Sequence, residues 1–280
     1  DPDCAMAWWG IAYATGPYYN KPWDWFADDE RAKALKLCYQ ATQNAKRMAS
    51  ALLPVEQDLI AALDAKFPQA EFDDADQYKV WTKNFASAMR VVGQRHSSDL
   101  DVQALTAEAL ITQNAWELWD VFTDEPKEGT DTLEAIQVIE TGLELAVQQG
   151  LDCHPGLAHL YIHVLEMSPE PHKALPAANK LRTFAPDVGH LVHMPSHLDL
   201  LCGDYKAAVK ANNLAIEADR RYLSQAPEGE FYLISCSHDI QIKMAAAMLM
   251  GHWAATKEAM DRLEEVLTID VLECEKPYFG

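Results

Sequence analysis

Two histidine pairs constrain this chain more than any other feature. His159/His163 and His193/His197 are each four residues apart, and the second pair follows the first by 34 residues. Four residues is about one turn of α-helix, so each pair stacks on one face of a helix. A self-similar spacing of that size belongs to helix–turn–helix repeats, whose units bury their apolar faces only against their neighbours. The spacing therefore predicts one pair of imidazoles presented twice, by equivalent helices of adjacent repeats.

The remaining chain reads as helices in series. Asp1-Pro2-Asp3-Cys4-Ala5 has the character of a junction between two helices, which predicts a further helix upstream. A first helix reaches Tyr13, and Gly16-Pro17 ends it. Tyr18 to Phe26 is aromatic and irregular, and it is read as a loop pinned by Trp23 and Trp25 in preference to an aromatic ligand box. From Asp28 to Ser50, apolar residues Ala34, Leu37, Cys38, Ala41 and Ala45 recur at helical steps, and Asp28, Asp29 and Glu30 suit the positive end of the helix dipole. Further helices are predicted over Val55 to Lys66, through Val80 to Val92 after an acidic turn (Glu71 to Asp76), over Ala104 to Ile111, and over Thr132 to Gln149. Trp116 and Trp119 fall in a turn and loop.

The histidine region follows. Pro155 suits the first position of a helix that carries His159, His163 and Glu166 on one face, and His172 to Phe184 supplies its partner helix. The next helix reads GHLVHMPSHLDLL, with Pro195 inside it. An internal proline costs about 3 kcal/mol, so the helix either bends there or starts there. Gly203-Asp204-Tyr205 then turns the chain, and Gly251-His252-Trp253 repeats that turn 48 residues later. The final hairpin is thus longer by fourteen residues than one period, which lengthens its two helices by roughly 10 Å each. A terminal helix over Trp253 to Leu267 and a capping tail to Gly280 complete the array.

Composition narrows the partners. The formal net charge is −20, and no run of Lys/Arg exceeds two. Neither nucleic acid nor an anionic membrane surface suits such a chain, because phosphate binding needs clustered cations. The six cysteines are scattered singly, with no CxxC pair, so reduced thiols and a cytoplasmic location are expected. No apolar run reaches membrane-spanning length.

Imidazoles gathered at one place repel each other when protonated and are costly to bury without a bound partner. A transition metal supplies one, at about 2.0–2.1 Å from each neutral nitrogen. All-imidazole ligation, with Glu166 as an added carboxylate, suits Cu, Fe or Zn and not Mg or Ca. Asp199 and Asp239 are weighed as hydrogen-bond acceptors for ligand rings, and solvated helix positions are the default for both. His154, His172 and His252 read as structural residues at helix starts and turns, and His96 as a surface residue. No HExxH, GxSxG or phosphate-loop motif is present.

The Gly203-Asp204-Tyr205-x-x-Ala208 turn, together with the 34-residue period, resembles the tetratricopeptide repeat across the whole chain. The chain is also similar to a group of microbial repeat proteins with the motifs HPGxxHxxIHxxE, GHLVHMPSH and HNxHF. The first two stand here as His154-Pro155-Gly156…His159…His163…Glu166 and Gly189 to His197. The third departs, as His238-Asp239-Ile240-Gln241. The resemblance implies an all-α, right-handed superhelix of about six helix pairs over 1–280 as a single domain. It also implies a concave groove, with His159, His163, Glu166, His190, His193, His197, His238 and Gln241 facing it at one end and Met6, Trp9 and Tyr13 at the other. The function expected from such a groove is a metal or small-ligand site, of the kind found in redox or oxygen-dependent metalloenzymes acting on a small molecule. The alternative is an interaction scaffold for a protein partner's peptide, against which stands the shortage of Lys, Arg and Asn at groove positions.

Overall fold

Apolar stripes at three- and four-residue steps become helices wherever the sequence predicts them, because each stripe finds a neighbouring stripe to cover it. The computed structural model describes residues 1–72, 76–225, 230–269 and 272. The centre of the acidic turn and most of the predicted capping tail lie outside them. Among the described residues the chain is all-α apart from one minimal hairpin, and its contacts gather into two units, Asp1–Leu145 and Ala146–Gly280. Among the described residues, no helix is long and apolar enough to cross a membrane.

The first unit contains α1 (Ala5–Thr15), α2 (Asp28–Met48), α3 (Pro54–Lys66), α4 (Gln77–Arg95), α5 (Leu100–Thr112) and most of α6 (Thr132–Gln148). From α1 to α5 each helix packs on the next in chain order, the nearest-neighbour pattern of a hairpin array. Strands β1 (Trp119–Asp120) and β2 (Glu125–Pro126) pair antiparallel between α5 and α6. The aromatic loop is pinned as expected. Trp23 is buried against Phe26, Phe67 and Phe72, while Trp25 stacks on Trp116 at 6.0 Å and lines a cavity of about 640 Å³.

One buried base stands out in this unit. Lys66 donates from Nζ to the Pro17 carbonyl at 2.9 Å, and its ammonium lies 4.8 Å from the Phe85 ring and 4.9 Å from the Tyr13 ring. Tyr13 donates its hydroxyl to Glu108. Burial pushes the Lys66 amine down to about 8, with the Glu108 charge opposing. Trp9 stacks on Tyr13 at 4.8 Å, so both expected groove aromatics of α1 belong to this neighbourhood. His96 is not a free surface residue: its Nε2 lies 2.7 Å from Asp58 Oδ2 in a half-buried pair.

The second unit contains α7 (Pro155–Leu165), α8 (Leu175–Leu181), α9 (Gly189–His193), α10 (Pro195–Cys202), α11 (Tyr205–Leu223), α12 (Glu230–Leu249) and α13 (Trp253–Val266). Its turns repeat. Gly203 ends α10 with φ +85°, Asp204 then caps α11 by accepting from the Ala207 amide, and Gly251 (φ +66°) precedes His252, whose Nδ1 caps α13 through the Ala255 amide. His154 caps α7 in the same way through the Leu157 amide. The predicted partner helix over His172 to Phe184 is shorter, a 3-10 turn (Pro171–Ala174) leading into α8. Pro195 divides its segment into α9 and α10 with only Met194 between them, since proline cannot supply the amide hydrogen that a continuous helix needs.

Candidate metal centre

Four helices bring the histidines to one place. On α7 the buried positions run from Leu157 through Leu165 with one exception, His159, which is half-exposed and stands one turn before the buried His163. On α9 and α10, His190, His193 and His197 follow at three- and four-residue steps. His238 comes from α12, which packs on α9, α10 and α11. Gly189 lets α9 approach α11: a Cβ there would collide with the Asp219 carboxylate and lie 3.2 Å from the Ala215 carbonyl. On the other side, Arg182 grips Asp199 of α10 with two hydrogen bonds of 2.6 and 2.9 Å. Asp199 is therefore a buried structural anchor and neither a solvated residue nor a partner of a ligand ring.

The six imidazoles form two triads. In the first, His159 Nε2 lies 2.9 Å from His190 Nε2 and 3.1 Å from His163 Nε2. In the second, His197 Nε2 lies 2.8 Å from His193 Nε2 and 3.2 Å from His238 Nε2. Within each triad all three nitrogens stand within 4.8 Å of one another, the geometry of a metal-ion site. Two imidazole nitrogens bound to one tetrahedral ion stand about 3.3 Å apart, close to these separations. His163 and His197, whose proximity tests the repeat alignment, have ring centroids 6.4 Å apart.

The opposite edges of the rings are tied back. Glu166, which caps the C-terminus of α7, accepts from His163 Nδ1 at 2.9 Å through one oxygen and from His197 Nδ1 at 2.8 Å through the other. It thus bridges one ring of each triad from behind instead of joining the Nε2 atoms as a ligand. His193 Nδ1 donates to Asn212 Oδ1 at 2.6 Å, and the Asn212 amide nitrogen donates to the Ala208 carbonyl at 2.8 Å, which fixes the orientation of the amide. Asp239 Oδ1 lies 3.1 Å from the same His193 nitrogen and is buried. Behind it, Asp219 accepts from the Tyr232 hydroxyl at 2.8 Å, and burial raises the carboxyls of both Asp219 and Asp239 above the usual range.

These bonds settle the tautomers. A ring that donates from Nδ1 to a carboxylate or an amide oxygen presents a lone pair at Nε2 when neutral. His163, His193 and His197 are all so held. When both rings are neutral, the lone pairs of His193 and His197 face each other at 2.8 Å. Protonation is disfavoured: burial, and then the neighbouring rings, pushes His159 and His193 well below the usual histidine value, His190 to about 3 and His238 to about 4. Burial works against the Glu166 charge, but the flanking His197 and His163 outweigh it and hold the carboxyl well below the usual range.

Not every expected residue takes part. Gln241 is exposed, and Trp9 and Tyr13 belong to the first unit. The partition into triads and the roles of Asn212 and Arg182 are not legible in the histidine spacing. Asn212 leaves one trace in the sequence, as an amide on the small-residue stripe of Ala208, Ala211 and Ala215. No protein-family model matches the chain, and the search of curated proteins returned no match.

Proposed function

We propose that the second unit is a transition-metal centre, and that the chain is a tetratricopeptide-like helical array built to hold it. The observation that carries this reading is the convergence of three imidazole nitrogens in each of two triads, all within 4.8 Å of one another, with the Nδ1 atoms of His163, His193 and His197 engaged by acceptors. Three neutral imidazoles per triad, without a converging carboxylate or thiolate, suit copper, zinc or iron. Three protein ligands also leave a coordination position vacant, the arrangement of reactive sites in contrast to closed structural ones. Redox or oxygen-dependent chemistry on a small molecule is the activity this favours, in a cytoplasmic protein with reduced cysteines.

The test is metal analysis of protein purified without a histidine tag, beside a His159→Ala/His193→Ala variant, which removes one ring from each triad. Bound copper, zinc or iron in the parent and its loss in the variant is the expected result. A metal-free parent that takes up none of these ions at neutral pH sinks the reading. Undiminished peptide capture by metal-free protein would favour the scaffold alternative.

A further inference from the structure

The site is duplicated. Each triad consists of an HxxxH pair and a third histidine from a following helix: His159/His163 with His190, and His193/His197 with His238. The two groups do not merge into one six-nitrogen set, because the close Nε2 contacts run within triads: 2.9 and 3.1 Å in one, 2.8 and 3.2 Å in the other. Yet the triads are neighbours. Ring centroids across the divide are 6.2 Å apart for His190–His193 and 6.4 Å for His163–His197, against 6.1 Å for His163–His190 inside one triad. Helix α9 contributes a ligand to each, and the Glu166 carboxylate ties one ring of each from behind.

We infer that the centre takes two transition-metal ions side by side, one per triad, and that a small anion of the size of hydroxide or azide bridges them. The inference rests on the metal-binding reading and goes beyond it. Three nitrogens leave each ion short of a full coordination shell. His159, His190, His197 and His238 each keep a small exposed area, 11% for the His197 side chain, so each triad has a side from which such an anion enters. Two ions of charge two, with Glu166 as the carboxylate between the triads, also leave an excess of positive charge that a bridging anion reduces. The rings alone therefore specify a pair of ions and the class of ligand that joins them.

Copper(II) is the probe that distinguishes the outcomes. Metal-free protein titrated with copper(II) at pH 7.5 should bind two equivalents per chain, and its electron paramagnetic resonance should integrate to far less than the copper present, because an anion bridge couples the spins. His159→Asn and His238→Asn each remove one ligand from one triad only. Each should bind one equivalent, with a signal that accounts for all of it, while circular dichroism confirms the fold. Azide should shift the absorption of the parent at one azide per two copper ions, and that of either variant at one azide per copper ion. One equivalent in the parent, with neither variant altering it, overturns the two-ion inference and leaves the metal-binding reading intact. Two equivalents with a full signal overturn the bridge. No binding at all sinks the metal-binding reading itself.

Discussion

Lys66 in the first unit and His193 in the second are both buried bases, and they are held in opposite ways. Around Lys66 one N–H donates to the Pro17 carbonyl, the charge lies against aromatic rings, and Glu108 is engaged by Tyr13. Each of these contacts is made with a different kind of group. Around His193 the donor edge is equally well satisfied, by Asn212, but the other ring nitrogen meets another imidazole. A polar group completed by the fold is a part of the fold. One whose remaining edge meets rings of its own kind is, on the proposed reading, arranged for an ion. The difference separates a structural buried charge from a functional one more sharply than burial or pKa does.

Acid breaks the comparison most strongly. In metal-free protein, His159, His190, His193 and His238 have folded-state values below those of the unfolded chain, His190 at about 3 and His238 at about 4. Below the ordinary value of about 6.5 the unfolded chain binds more protons, so stability falls as pH falls from about 6.5 towards 4. The second unit should melt first over that window in a pH series followed by hydrogen exchange. Lys66, lowered to about 8, acts in the alkaline range: stability should rise between about pH 8 and 10.5, and only in the first unit.

Metal removal comes next. An ion at a thousandfold excess over its Kd stabilises by about 4 kcal/mol, and chelation should withdraw that from the second unit while exchange in α1, α3 and α5 stays unchanged. Gly189→Ala should cost about 1–3 kcal/mol, since the added methyl forces α9 off Asp219 and Ala215 of α11. Thermal denaturation measures the loss, and weaker metal retention should accompany it because α9 carries His190 and His193. Lys66→Met should have the smallest effect. Methionine keeps contact with the rings and removes a buried charge, while the Pro17 carbonyl loses its donor, for a net change of about 1 kcal/mol. The metal content should not change, and the alkaline stabilisation should vanish.

The helices and the gathering of the histidines were legible because both follow from periodicity. Ala34, Cys38, Ala41 and Ala45 mark a stripe whatever covers it, and a pair four residues apart shares a face in any helix. Pro195 was legible as a choice between a bend and a helix start that leaves His190 and His193 on an entry turn; α10 does start at Pro195, but both histidines lie on a short helix of their own. What periodicity does not carry is the side-chain direction across helices. Glu166 shares a face with His163, yet its oxygens reach the Nδ1 edges of the rings, a matter of rotamer and of where α10 lies. Asp199 and Asp239 read alike in sequence, and only Arg182 on one side and His193 on the other tell them apart. The network around Lys66 joins α1, α3 and α5, and no spacing rule links those positions.

The break at Pro195 also sets a clock. α9 is five residues long, far short of the roughly 12–15 that hold a helix unaided in water, so its order comes from α11 beneath it and from whatever its histidines bind. When α9 frays, His190 and His193 leave together, one from each triad. Release of metal is then timed by a local opening and not by the rupture of single bonds. Chelator-driven loss should reach a plateau rate that more chelator does not raise, and Pro195→Ala, which allows α9 and α10 to join into one helix, should lengthen the residence time of the ions.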